Sequence, residues 1–473
     1  MSYDFPIFIN GKMQKTKDIL EVKSPYDGHL VGKTYRANEN ELELATAAAV
    51  NGFQRTRIMP IYERAAKLQQ IVEGIKSNRE EFAQIICEES GKPIKFSRLE
   101  VDRAINTFSD AVEECKRIRG EQMPLDFDPG SRGRWAVIKR FPIGPILGIC
   151  PFNFPLNLVC HKVAPALAAG NSMVLKPASQ TPFSALRLAQ EIHKTEWPDG
   201  AFNVLPMDSR KAYIPVKDER FKLLTFTGSP EIGWQLKTQA GHKPVTLELG
   251  GNGGVIIHHD ADLEYAASRC VLGGYYYSGQ NCISVQRIYL HDTIYNTFMK
   301  IFLSRVQALR VGNPAHETTD IGPMIHISEI KRIAEWIEEA FKEGAKILLG
   351  GKSEGTIFYP TVVSDVKPEL RLNREEAFAP VVIIYKYKDF ENALEEINNS
   401  DYGLQAGVFT KDVSLIFKAF DQLEVGGVIA GDVPTYRVDQ MPYGGTKHSG
   451  MGREGVRYAI EEMTERKLLV MNL

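Results

Sequence analysis

A handful of short stretches in this 473-residue chain set reactive side chains beside small or rigid neighbours. In SGQNCISVQR (278–287) a single cysteine, Cys282, lies among small polar residues. A cysteine thiolate attacks carbonyl carbons, whereas an unreactive cysteine packs as a small buried hydrophobe, and the stretch by itself admits both. In LELGGNGG (247–254) Glu248 closes an apolar run just before a glycine cluster, where a backbone or ligand can come close. A carboxylate there can take a proton from water or a thiol, or it is simply a charge at a strand end. PFNFPLN (151–157) holds Asn153 between aromatics and prolines, so its amide either donates to an oxyanion or completes a turn. FTGSPEIG (226–233) leads a strand through Gly228 and Ser229 into a helix, turning N–H groups and the helix dipole toward an anion such as a phosphate. This turn differs from the G-x-G-x-x-G fingerprint. Lys176, closing SMVLKP, puts a cation at the same sheet edge, and EEAFAP (375–380) reads by itself as a solvated acidic pair.

Such residues need a scaffold to converge. After two long amphipathic helical stretches (61–90 and 98–118), short apolar runs alternate with helical ones. Strands are expected over 146–152 and 172–177 and helices over 156–170 and 182–194, with FNVLP and LLTFTGS as further strands. That alternation implies a parallel sheet covered on both faces, which takes ligands at the carboxyl ends of its strands. A second alternating block starts at GGVIIHHD (253–260) and implies a second α/β domain. RGRWAVIKRF (132–141) and RKLLVMNL (466–473) belong to neither block and read as strands of an arm used between subunits.

Composition narrows the function classes. With 43% hydrophobic and 25% charged residues the chain is an ordinary globular one of two or three domains, not a disordered or fibrous one. A formal net charge of -2 with interspersed signs leaves no field to gather nucleic acid or an anionic membrane. No apolar run approaches the ~20 residues that cross a bilayer, and MSYDFPIFINGKMQKTKD lacks the pattern of a secretory signal, so a cytoplasmic location is expected. The six cysteines form no C-x-x-C pair; reduced thiols and no metal site are expected.

Taken together, PFNFPLN, VLKPASQTP, FTGSPEIG, LELGG, GQNCIS, EEAFAP and MPYGGTKHSGMGREG resemble the aldehyde dehydrogenase superfamily, in the same order and at similar spacings, from about residue 5 to residue 470. The resemblance implies a Rossmann-like cofactor domain (1–120 and 143–250), a second α/β catalytic domain (251–450) and a small β oligomerisation arm (121–142 and 458–473). It implies that Cys282 is the nucleophile, that Asn153 and the Cys282 N–H hold the oxyanion, and that Glu248 is the general base for thioester hydrolysis. It further implies that Phe152, Lys176, Ser179, Gly228, Ser229, Glu376 and Phe378 contact an NADP or NAD cofactor, and that the protein is a homodimer or homotetramer acting on a small-molecule aldehyde. A CoA-acylating relative and a non-catalytic member are alternatives; the first usually lacks an acid where Glu248 stands, and the second would not need Cys282, Asn153, Glu248 and Glu376 intact.

Departures from the family pattern bear on specificity. Many NAD-linked members carry an acid at the position of Ser179, where it bonds the adenosine ribose; serine there leaves Lys176 free to pair with a 2'-phosphate and favours NADP. Members acting on succinate semialdehyde commonly carry arginines where this chain has His161 and Tyr276, which argues against that substrate. His161 and the tail YRVDQMPYGG are similar to lactaldehyde dehydrogenase-like and phosphonoacetaldehyde-oxidising members, so lactaldehyde- or glyceraldehyde-like substrates are expected, with succinate semialdehyde or phosphonoacetaldehyde as alternatives. Arg103, His161 and Arg437 either form an anion-binding entrance or are surface and interface charges.

Overall fold

The computed structural model describes residues 2–472; Met1 and Leu473, the outer ends of the expected first domain and arm, lie outside the described residues. Five runs, Pro145–Ile149, Ser172–Lys176, Phe202–Val204, Leu223–Thr227 and Val245–Glu248, are parallel neighbours in an eight-stranded sheet. Nearly every residue in them is buried, because helices cover both faces, and this is why they read as continuous apolar runs. Ile146 packs on one side against the helices Ile61–Ser77, Ile94–Lys116 and Asn157–Ala169, while Leu147 packs on the other against Glu39–Thr56. The first three strands step one way across the sheet and the last two step the other way. The order therefore reverses between Pro145–Ile149 and Leu223–Thr227, and a crevice opens outside their carboxyl ends.

A second sheet of seven strands is parallel from Thr361–Ser364 through Val381–Tyr387, Val285–His291, Gly253–Ile257 and Gln405–Phe409 to Gly427–Ala430, with Lys346–Leu349 antiparallel at one edge. The chain crosses between the sheets in residues 249–252. The carboxyl end of Val245–Glu248 thus faces the amino ends of Gly253–Ile257 and Val285–His291. The chain later returns, and Gly450–Met451 pairs antiparallel with Val245–Glu248 at the edge of the first sheet. Among the described residues no helix is long and apolar enough to cross a membrane.

The helical stretch expected over 61–90 is two helices, Ile61–Ser77 and Arg79–Ser90, broken at Asn78. The Asn78 side chain donates to the Gly74 carbonyl at 2.8 Å, an alternative partner that competes with helix continuation. The next helix starts at Ile94, four residues before the expected Arg98, because Gly91 closes its predecessor at φ 69° and Pro93 sets the following turn.

The two segments expected to form strands outside both domains pair with each other. Thr464–Asn472 runs antiparallel to Arg134–Pro142 over nine positions, and Glu121–Pro124 covers the other edge. Leu468, Leu469 and Val470 remain exposed on this ribbon. Deleting the chain from Arg466 onward leaves one edge of Arg134–Pro142 unpaired. The expected result is a lower melting temperature and a smaller or aggregated species in light scattering; an unaltered assembly with an unaltered melting temperature would make the ribbon dispensable.

Candidate active site

At the reversal point, Gly228 leads into the ten-residue helix Pro230–Gln239, and Ser229 precedes it with no side-chain cap, so the first N–H groups of that helix face the crevice. A Cβ at Gly228 would lie 2.6 Å from the Phe226 ring, so only glycine lets the turn pass. Lys176 is not the surface cation its sequence position suggests. It is buried, contacts only the Pro177 carbonyl at 3.4 Å, and burial pushes its ammonium down to about 8. Ser179 lines a cavity of about 460 Å³ with Arg36, Asp208, Ser209, Arg210 and Lys211. Arg36 is paired with Asp18 at 2.9 Å and Arg210 with Asp208 at 2.6 Å, both on the solvent side. Arg210 escaped sequence reasoning; its signal is a cation a few residues past Phe202–Val204, the strand beside Ser172–Lys176.

Phe152 and Phe378, 6.0 Å apart edge to face, border a further cavity of about 320 Å³. Glu376 is not on a solvated face. One of its oxygens accepts the Gly251 N–H at 3.0 Å, and burial pushes the carboxyl up to about 7.

The loop that carries Cys282 is held from several elements at once. Tyr277 and Ser278 both adopt left-handed φ (50° and 54°), a conformation non-glycine residues keep only when their surroundings fix it. The Tyr277 hydroxyl donates to the Ser90 carbonyl (2.9 Å), Ser278 Oγ to Gly322 (2.9 Å), and Gln280 Oε1 accepts the Ile325 N–H (2.8 Å). Beneath it lies a fully buried ion pair, Lys92 with Glu100. The Lys92 ammonium is 3.8 Å from the Phe154 ring centre and 4.6 Å from that of Tyr277. Glu100 accepts the N–H groups of Leu156 (2.9 Å) and Asn157 (3.1 Å), capping the helix Asn157–Ala169. The same pair thus fixes the loop of Asn153, whose amide donates to the Gln280 carbonyl at 3.2 Å, two residues from Cys282.

Cys282, half-buried, lines a cavity of about 380 Å³ with Phe154, Leu158, Tyr276, Arg103, Arg437 and Tyr443. Burial pushes its thiol up to about 12, and a contact of 3.0 Å with the Tyr443 hydroxyl acts the other way. Glu248 is buried with neither carboxyl oxygen partnered, and burial raises its proton affinity well above the ordinary range. Beside it, Lys162 and Arg437 outweigh burial to hold Glu454 low, through ion pairs of 3.1 and 3.0 Å.

His161 does not line the cavity. It lies behind, buried, and donates from Nε2 to Asp439 at 2.9 Å; burial and then Arg437 lower its proton affinity. The same Asp439 oxygen accepts Arg103 Nη2 (2.7 Å) and Asn157 Nδ2 (3.2 Å). Arg103 and Arg437 each retain a buried, unpartnered Nε, and both also border an outer cavity of about 550 Å³ with Asp110 and Asp439. Arg103, Arg437 and Lys162 thus face Asp439 and Glu454, both held low, while the unpartnered Glu248 has its proton affinity raised. The wall itself carries three arginines, Arg103, Arg269 and Arg437, and one carboxylate, Asp102. Among the described residues no group of three or more His, Cys, Asp or Glu side chains is arranged to hold a metal ion.

The model of the Aldehyde dehydrogenase family matches residues 12–469. The chain is 44% identical to the 3-sulfolactaldehyde dehydrogenase of Priestia aryabhattai over 470 residues, 99% of this chain and 98% of that one. It superposes with a TM-score of 0.98 on aldehyde dehydrogenase 21 from Physcomitrella patens in complex with the reaction product succinate, at 47% identity, covering 100% of this chain and 99% of that one. With glyceraldehyde-3-phosphate dehydrogenase GapN from Methanocaldococcus jannaschii complexed with NADP the TM-score is 0.92 at 37% identity, over 96% and 99% of the two chains.

Asp439 offers a direct check of this charge network. Its carboxylate is held well below the ordinary range, because His161 and Arg103 outweigh the opposing effect of burial. A depressed carboxylate stabilises the fold above its unfolded value and loses that contribution only as pH falls through its folded one. Asp439→Asn should therefore cost about 3 kcal/mol at pH 7, the range for breaking a buried pair, with the difference from wild type persisting to about pH 4. Urea unfolding at pH 7 and pH 4.5 measures both.

Proposed function

This chain belongs to the aldehyde dehydrogenase family, and from that premise we propose that it oxidises a short aldehyde carrying an anionic group at its far end, using NADP in preference to NAD. It is an NAD(P)-dependent aldehyde dehydrogenase. The observation that carries the substrate reading is the pair of arginines, Arg103 and Arg437, that line the wall of the Cys282 cavity, each with a buried Nε left unpartnered. A three-carbon sulfonate and succinate, named for the relatives above, both place an anion a few bonds from the reacting carbon. Absence of arginine at His161 and Tyr276 does not remove anion recognition here, because the cations enter from the helix Ile94–Lys116 and from residue 437.

The residues suit the cofactor. The buried Lys176, whose one hydrogen bond among the described residues is to a carbonyl, the cavity lined by Ser179 and Arg210, and the bare helix start at Gly228 and Ser229 fit an adenosine 2'-phosphate and a pyrophosphate, and Glu376 with Phe152 and Phe378 would hold the nicotinamide end. When bound, the cofactor accepts hydride from the substrate carbon. Before that, Cys282 Sγ, its proton released to solvent, adds as thiolate to the aldehyde carbon and the C=O pair moves to oxygen, where Asn153 Nδ2 and the Cys282 N–H donate to it. Afterwards Glu248 takes a proton from water, whose oxygen attacks the thioester carbon; the sulphur leaves as thiolate and the carboxylic acid is released. The raised proton affinity of Glu248 suits it to take up that proton. The ribbon, with its exposed Leu468, Leu469 and Val470, joins copies of the chain into a dimer or tetramer.

Cys282→Ser should abolish NADPH formation from sulfolactaldehyde, succinate semialdehyde and lactaldehyde alike while NADP still binds; near wild-type turnover would end the nucleophile assignment. In wild type, kcat/KM should favour the two anionic aldehydes over lactaldehyde by ten-fold or more, about 1.4 kcal/mol, and equal values would end the anion reading.

The cofactor assignment predicts a pH dependence. Lys176 is cationic below about 8 and loses its proton above, so NADP affinity should fall as pH rises through that value while NAD affinity changes less. Ser179→Glu should reverse the preference, since its carboxylate bonds ribose hydroxyls but repels the 2'-phosphate. Titration calorimetry of both cofactors at pH 7 and pH 9 tests the two statements together.

A further inference from the structure

Tyr443 carries a hydroxyl that its packing role does not require. Its ring belongs to a small apolar cluster with Ile283 and Leu404, which phenylalanine would complete equally well. A buried hydroxyl needs a partner, and this one contacts Cys282 Sγ at 3.0 Å. Asn281 Oδ1 lies 3.8 Å from the same sulphur and can accept the thiol proton. The tyrosine is then the donor and the sulphur the acceptor.

The ring cannot swing away. Tyr443 and Glu454 exchange two backbone hydrogen bonds, at 3.0 and 2.7 Å, and the Arg437 guanidinium stacks 3.6 Å from the ring centre. Glu454 in turn binds Arg437 and Lys162. We propose that Tyr443 is a catalytic residue: its hydroxyl is a fixed donor that anchors the Cys282 sulphur and stabilises it as the thiolate. This deepens the reading above and rests on Cys282 being the nucleophile. When the thiolate forms, the Sγ proton leaves to solvent and the tyrosine keeps its own, because burial raises the phenol's proton affinity well above the ordinary range. The other charged or titratable groups that face the sulphur are Glu376 and Glu248, whose carboxylates oppose a thiolate, and Arg437, which favours one. Tyr443 is the group in direct contact, and a donor to a charged atom gains most from contact.

Tyr443→Phe tests this through the rate at which iodoacetamide alkylates Cys282 in the apoenzyme between pH 6 and 10, with Cys282→Ser as the background. The apparent thiol pKa should rise by about one pH unit and alkylation at pH 7.5 should fall about ten-fold, the acid limb of kcat/KM moving in parallel while the NADP Kd stays unchanged. If the variant does not fold, 3-fluorotyrosine at position 443, a stronger donor, should move the alkylation profile toward lower pH. An unmoved profile in either protein overturns the proposal. If Cys282→Ser is inactive and the Tyr443 profile is unmoved, only the tyrosine's role fails; if Cys282→Ser turns over, the nucleophile reading fails first.

Discussion

The fully buried pair of Lys92 and Glu100 is the constraint from which the reactive geometry follows. Removing one partner of such a pair leaves a charge in an apolar interior, a loss of about 3–5 kcal/mol, so the pair enforces its own surroundings. Those surroundings are the two loops that must meet. Glu100 accepts the N–H groups of Leu156 and Asn157, and Lys92 sits under the rings of Phe154 and Tyr277. The two left-handed residues, Tyr277 and Ser278, are held against this platform, which is how the chain keeps an unfavourable backbone next to Cys282.

Charge placement around that platform follows which carboxyl has a cation beside it. Glu248 is left without a partner and burial raises its proton affinity, whereas Glu454 and Asp439, similarly buried, are held low because cations stand beside them. Three carboxyls within one crevice therefore have proton affinities pushed in opposite directions, set by neighbours rather than by residue type.

Much of this was legible in the sequence, and the rest was not for identifiable reasons. The strands of the first sheet announced themselves because burial on both faces makes them continuous apolar runs, and the strand-turn-helix at Gly228 was visible in its residue types. The positions of Lys176 and Glu376 were readable, but their burial was not, since lysine at a strand end and paired acids are usually solvated. Asp439 and Glu454 drew no attention because nothing local marks an acid that will meet His161 or Lys162 hundreds of residues away. The mutual pairing of Arg134–Pro142 with Thr464–Asn472 was likewise hidden, because alternation identifies a strand without naming its partner.

The return of the chain at Gly450–Met451 has a consequence for how the molecule is made. The seven-stranded sheet is built from one continuous stretch of sequence, while the sheet holding Glu248 lacks an edge strand, the helix Val456–Glu462 and half of its ribbon until the last residues appear. During synthesis the unit around Gly253–Ile257 can close while its elder neighbour still waits, with apolar surface uncovered, for a segment about 200 residues downstream. The half begun first is the half finished last, and chains cut short near their end lose the first sheet's closure while retaining a complete second one.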